Sequence, residues 1–297
     1  MSVTDAVIPA ITVDHLTYAF PGGVVGLHDI SFDLASHSRT LLVGANGAGK
    51  STLLRILAGK TLAKAGSVRV QGCDPFRSAL AGVTYLGTEW ASNATVRHDM
   101  AVPVLLSSVG GDAYPDRRDE LVEILDVDLA WHMHAVSDGE RRRVQLVMGL
   151  LRPWSILLLD EVTVDLDVLV RSRLLAFLER ETSSRDCAVV YASHIFDGLA
   201  EWPTNLIHIH MGRILECGKP ADIIANTSLP KRATTLTYNS NSALLELALK
   251  WLSEDLKDRG RREDVKRLRW DEISKNDKDG GMNLSAFDAY FKFSRAR

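Results

Sequence analysis

Short apolar runs alternate with helical-period segments along most of the chain. Residues 11–16 are apolar and β-branched, which predicts a strand, and Pro21-Gly22-Gly23 turns the chain afterwards. Residues 30–34 alternate apolar and polar, as a half-buried strand does. Residues 40–43 form a short apolar run that enters a glycine-rich loop. From 51 to 57 the apolar positions recur at helical spacing, with Gly59 as the stop. Residues 68–70 read as a further strand, closed by Gly72. Between about 96 and 151 the helical period dominates, interrupted at Ser137-Asp138-Gly139. Strand-like runs return at 156–159 and 188–191, with a helix over about 166–182 between them. Residues 206–210 and 213–216, split by Met211-Gly212, read as a hairpin. Strand, helix, strand in succession predicts an α/β fold with a parallel sheet and crossover helices.

Past residue 226 the pattern weakens. Residues 228–242 are polar and turn-rich and read as a linker; 243–256 are apolar at helical spacing; 257–278 are dense in both signs of charge. The 297 residues fit one large α/β domain plus an extension, or two modest domains, and 46% hydrophobic content is enough for a substantial core. A net charge of -3 demands neither a nucleic-acid nor a membrane-surface partner. The three cysteines, Cys73, Cys187 and Cys217, have no C-x-x-C spacing, so neither a zinc site nor a disulfide framework is signalled. No apolar run reaches the roughly 20 residues of a membrane helix, and the N-terminal residues lack a basic stretch before an apolar core. The expectation is a soluble, intracellular chain.

Two segments carry chemistry. Gly44-Ala45-Asn46-Gly47-Ala48-Gly49-Lys50-Ser51-Thr52 matches G-x-x-x-x-G-K-[ST], after an expected strand and before an expected helix. Inward-turned amides in such a loop form an anion cradle that side chains would obstruct. The following helix presents its positive dipole end to phosphates. Lys50 supplies a point charge for β- and γ-phosphates, and the Ser51 hydroxyl is a hard ligand suited to Mg2+. The second segment, residues 156–161, is an apolar strand ending in Asp160-Glu161. Ligands bind beyond the carboxyl ends of strands in parallel sheets, which places Asp160 to hold Mg2+. Glu161, next along the pleat, is expected to face the other way and to polarise an attacking water. Taken alone, the two carboxylates would serve equally well as an acidic N-cap for the next helix.

With these in place, the chain resembles the ABC (ATP-binding cassette) ATPase family over about residues 11–218. Val136-Ser137-Asp138-Gly139-Glu140 looks like the family's signature, usually L-S-G-G-Q, in the helical subdomain ahead of the metal strand. Val164-Asp165-Leu166-Asp167 is similar to its D-loop, and His194 matches its switch histidine. The resemblance implies a P-loop fold of ABC type: a mixed sheet with a parallel core, an antiparallel β subdomain and a helical subdomain at about 89–152. The ATPase domain would span 1–226, with 227–297 as linker and charged helical extension. It further implies a head-to-tail pair, homodimer or heterodimer, in which Mg-ATP on one phosphate loop is capped by Ser137 and Gly139 of the other, with Glu161 and His194 as catalytic residues. Adenine would stack on Phe20, with Tyr18 as the alternate. Ser-Asp-Gly is also simply a good helix start, and for Phe20 and Tyr18 packing in the core or at the sheet edge remains open.

The departures are specific. Thr88 stands where the family carries a glutamine that touches Mg2+ and relays to membrane subunits, with Glu89 following; Asp138 and Glu140 replace a glycine and a glutamine. An added carboxylate near a γ-phosphate implies that Asp138 points away or acts as a cap. Together with Trp131-x-Met133-His134 and the run 160–167, these departures are similar to a narrower group. It comprises small soluble ABC proteins, among them a fungal factor associated with the NOT (carbon-catabolite-repression) complex and plant soluble ABC subfamily I proteins. That resemblance implies a regulatory ATPase in the cytoplasm, with the nucleus as a second location. It would act on a protein partner such as a transcription or deadenylation complex. A nucleotide-binding subunit of a membrane transporter, and a module that holds ATP without turnover, remain as alternatives.

Overall fold

The computed structural model describes residues 9–78, 80–92, 94–227 and 242–260. The chain divides into two compact units, Met1–Ser253 and Glu254–Arg297. The linker expected over 228–242, apart from Ser242, lies outside the described residues, as do the charged tail beyond 260 and the first eight residues.

Strands β1 (Ile11–Ala19), β2 (Val25–Leu34) and β4 (Ala65–Val70) form an antiparallel sheet in the order β2-β1-β4. A second sheet of six strands runs β5-β6-β7-β3-β8-β9. Its members are β3 (Arg39–Val43), β5 (Val83–Leu86), β6 (Ile156–Asp160), β7 (Ala188–Ala192), β8 (Asn205–His210) and β9 (Arg213–Gly218). All pairs are parallel except the β8–β9 hairpin. This is the mixed sheet with an antiparallel subdomain that the resemblance implies.

Buried parallel strands carry apolar residues on both faces, and the pleat sends alternate ones to opposite sides. Leu41, Val43, Leu157, Leu159, Val189 and Tyr191 face one core. There they meet α4 (Asp138–Leu151) and α5 (Val168–Ser184) through Leu146, Leu150, Leu174 and Phe177. Leu42, Leu158, Val190 and Ile207 face the other, against α1 (Lys50–Leu57) and the antiparallel sheet through Leu53, Leu57, Ile11 and Leu34.

Strand β5 and helix α6 (Pro220–Asn226) were not anticipated. Strand β5 has mostly half-buried residues at the sheet edge, so its hydrophobic signal is weak. Helix α6 is only two turns long. The helical stretch expected over 96–151 is also more broken than its periodicity suggests. Helices α2 (Val102–Ser108) and α3 (Pro115–Ile124) are parted at Gly110, whose φ of 101° an L side chain rarely adopts. No helix among the described residues is long and apolar enough to cross a membrane.

Helix α7 (Ala243–Asp258) begins after the expected linker, yet Leu244, Leu247, Ala248 and Trp251 join the core that lies against α4 and α5. The Trp251 ring stacks on His208 of β8 at 4.5 Å between centroids. Trp251→Ala is expected to cost about 3–5 kcal/mol of stability through the cavity it leaves, measurable as a lowered urea midpoint at unchanged slope.

Candidate functional site

Three neighbouring parallel strands, β6, β7 and β3, end on the same side of the sheet. Each is followed by a candidate residue. The loop 44–49 leaves β3, Asp160 closes β6 with Glu161 next, and His194 lies two residues past β7. Residues more than a hundred positions apart in the chain thereby meet.

The loop after β3 is shaped by its glycines. A side chain at Gly44 would place its Cβ 2.2 Å from the Ile209 carbonyl oxygen. Gly47 and Gly49 have φ of 83° and 114°, the left-handed region. Ala48 is buried, and its carbonyl accepts a hydrogen bond from the Gly212 amide of the β8–β9 turn at 2.8 Å. Asn46 is exposed, Ala45 and Thr52 half-buried. Helix α1 begins at Lys50 with no side-chain cap and no acidic residue in its first turn. Its leading amides are therefore available to an external acceptor.

Lys50 is 4% exposed. Its ammonium donates to the carbonyls of Gly44 at 2.8 Å and Ala45 at 3.2 Å, and lies 3.0 Å from His194 Nε2. Glu161 Oε1 lies 3.8 Å away. Burial lowers the Lys50 pKa, opposed by the Glu161 and Asp160 carboxylates. Glu161 Oε1 also stands 3.0 Å from His194 Nε2. A single ring nitrogen either accepts from Lys50 or donates to Glu161, so the tautomer decides between the two. Burial, and then the Lys50 charge, holds the His194 pKa below its usual value, while Glu161 opposes.

Asp160, 6% exposed, spends one oxygen on each of two hydroxyls: Ser51 donates to Oδ1 at 3.0 Å and Tyr85 to Oδ2 at 3.0 Å. Sequence reasoning missed Tyr85 as a partner. Pairing of β5 beside β6 places it there, with Tyr85 opposite Leu158. Burial pushes its phenol up to about 12, so it remains a donor. The expected reason for Glu161's direction is corrected: the strand ends at Asp160, and Glu161 has a φ of 55°. A left-handed turn, rather than the pleat, aims its carboxylate at His194 and Lys50.

Phe20, just past β1 and 43% exposed, lays its ring over Gly26, where a Cβ would come within 2.5 Å of it. The Gly26 carbonyl in turn neighbours Gly49 of the loop. Half-buried Tyr18 meets Phe20 edge to face at 5.1 Å.

The second cluster begins α4. Ser137 is its N-cap in a reciprocal box with Glu140: the Glu140 amide donates to Ser137 Oγ at 3.2 Å, and the Ser137 amide to Glu140 Oε2 at 2.7 Å. Hydrogen bonds from Ser137 lower the Glu140 pKa. Asp138 is drawn to Arg97 at 3.2 Å and to Arg141. Gly139 permits close approach to the Asp165 carbonyl, which a Cβ would meet at 3.0 Å. Three successive arginines fan out from this helix. Arg141 donates to the Met133 and Val136 carbonyls, both at 2.9 Å. Arg142 donates to the carbonyl of Gly87 at 3.1 Å and reaches Asp165 at 3.7 Å. Arg143 pairs with Asp126 and Asp167, each at 2.7 Å. Glu89, at the position next to the expected glutamine, is exposed and pairs with Arg55 of α1.

A model of the ABC transporter family matches residues 27–164. Among curated proteins, CCR4-associated factor 16 of Saccharomyces cerevisiae is 44% identical over 274 residues, 83% of this chain and 95% of that protein. ABC transporter I family member 20 of Arabidopsis thaliana is 43% identical over 219 residues, 70% of this chain and 66% of its own. Among solved structures, the ATP-binding cassette MJ0796, dimeric and bound to ADP and Pi, is similar with a TM-score of 0.58 at 15% identity, covering 70% of this chain and 98% of that one. That last likeness is one of fold.

The electrostatics at His194 give a direct expectation. Its imidazole titrates below 6.5 in a histidine-resolved NMR titration, and Lys50→Met, which removes the neighbouring cation, moves the midpoint upward.

Proposed function

The chain belongs to the ABC transporter family and is an ABC-type ATPase, and from that premise we propose how its own residues bind and hydrolyse Mg-ATP. The observation that carries the reading is the uncapped start of α1 beside a buried ammonium. An anion is the partner that satisfies both: amides of 47–51 donate to the phosphate oxygens, and Lys50 exchanges loop carbonyls for β- and γ-phosphate oxygens. Phe20 offers an exposed aromatic face beside the loop for adenine, with Tyr18 braced behind it.

The Ser51 hydroxyl and the Asp160 carboxylate, 3.0 Å apart, are hard oxygen donors and fit Mg2+. When bound, the ion neutralises charge on the β- and γ-phosphates. Tyr85 holds the other Asp160 oxygen and so fixes the carboxylate's rotation. Glu161 takes the proton of the attacking water and His194 orients that carboxylate; ATP and water become ADP and phosphate.

Ser137 and Gly139 would close over the nucleotide of a second copy, since the start of α4 is another helix N-terminus suited to anions. The dimer reported for MJ0796 supports a paired state. Arg97 and Arg141 neutralise Asp138, which answers the charge problem its carboxylate poses. The extended similarity to CCR4-associated factor 16, over 95% of that protein, supports a regulatory ATPase acting on a protein complex.

Lys50→Ala is expected to weaken ATP binding by about tenfold or more in a direct titration; unchanged affinity would overturn the phosphate assignment. Glu161→Gln is expected to lower turnover at least about a hundredfold with ATP binding retained. It should also form an ATP-dependent dimer by light scattering, and a monomer at saturating Mg-ATP would sink the paired state. Purification of the native protein identifies its partners, and recovery with membrane-spanning subunits would replace the regulatory reading with transport.

A further inference from the structure

Outside the nucleotide site, the described residues hold one group with metal-ligand chemistry: Asp99, His132 and His134. We propose that these three form a binding site for a divalent transition metal of zinc type, beside the turn that opens α4.

The backbone builds the arrangement. Residues 100–102 and 131–133 run antiparallel, joined by the Ala101–His132 bridge. The Val102 amide donates to the Trp131 carbonyl at 3.0 Å, and the Met133 amide to the Met100 carbonyl at 2.9 Å. His132 sits in that bridge, and Met133 and His134 in the turn that follows, closed by the Ala135 amide donating to the His132 carbonyl at 2.9 Å. Met133 at the centre of the turn is fully buried in the core, while His132 and His134 on either side of it are exposed. Asp99 flanks them on the paired segment. His132 Nδ1 lies 2.6 Å and His134 Nδ1 3.0 Å from the same Asp99 Oδ1, and the donor atoms are all within 4.8 Å of one another. Two ligands on a tetrahedral zinc with bonds of about 2.0–2.1 Å sit about 3.3 Å apart. Small side-chain rotations therefore convert the hydrogen-bonded cluster into a coordination set, and half-exposure of the rings leaves room for water at the remaining position. Two imidazoles and a carboxylate favour zinc, copper or nickel over magnesium, which takes oxygen ligands.

The site is anchored to α4. Arg141 grips the Met133 and Val136 carbonyls on either side of His134, and Arg97, two residues before Asp99, pairs with Asp138. An ion held here ties both strands of the pair to the start of that helix.

The test is isothermal titration of the tag-free full chain with Zn2+, in excess Mg2+ so that the oxygen-only site at Ser51 and Asp160 does not compete. One equivalent of zinc bound with micromolar or tighter affinity is expected. His132→Gln, His134→Gln and Asp99→Asn each weaken it by about tenfold or more, with thermal transitions matching the parent as a control for folding. The Co2+ derivative should show an absorption spectrum of nitrogen and oxygen ligation without a thiolate charge-transfer band. Absence of zinc uptake, full affinity in the double histidine variant, or loss of binding in Cys73→Ser/Cys217→Ser would each overturn the proposal. None of these outcomes bears on ATP binding at Lys50.

Discussion

Burying the ammonium of Lys50 is the constraint around which this end of the molecule is arranged. A cation taken almost wholly out of water must be compensated at close range. Two loop carbonyls and the Glu161 carboxylate do so, with the His194 ring beside them, contributed from three strand ends. The order β6-β7-β3 is what makes these groups neighbours, and the parallel register is what makes them end at the same level. Compensation by carbonyls is exchangeable. The same ammonium can turn to phosphate without leaving a charge stranded, which is why a helix start and a buried lysine together favour an anionic ligand.

Helix α4 joins this site to the rest of the α-rich side. Arg141, Arg142 and Arg143 are adjacent in sequence, so the helix sends them in different directions about its axis. One secures the segment leading into Ser137, one ties Gly87 to Asp165, and one bridges Asp126 and Asp167. Arg141 and Arg142 are almost fully buried. Buried guanidinium groups that satisfy backbone carbonyls hold loops in one arrangement more than they add stability. Any movement at the start of α4 is thus felt at 87–88 and at 165–167.

The departures from the usual family pattern have physical counterparts. Glu140 in place of glutamine completes the capping box through its carboxylate, a charge favoured at a helix N-terminus. Asp138 is held between two guanidiniums. Glu89 pairs with Arg55, and it is the Tyr85 hydroxyl that supports Asp160. Without the glutamine at 88, the segment following β5 is fastened to α4 by Arg142 and Gln145 through the Gly87 carbonyl.

The amino-acid order by itself determined the parallel-sheet architecture, because buried strands and crossover helices leave separate hydrophobic periods. It also marked the loop 44–52 and the Asp160-Glu161 pair, whose chemistry demands fixed residue types at fixed spacing. Tertiary structure alone decided what those periods do not encode. Edge strand β5 brings Tyr85 to Asp160 through pairing between distant segments. Glu161 is aimed by a left-handed turn past the end of β6, not by the pleat of the strand. The turn around Met133, which is buried in the core, brings His132 and His134 to the same aspartate more than thirty residues away. Each of these depends on which segments become neighbours, and that is settled only when the whole core packs.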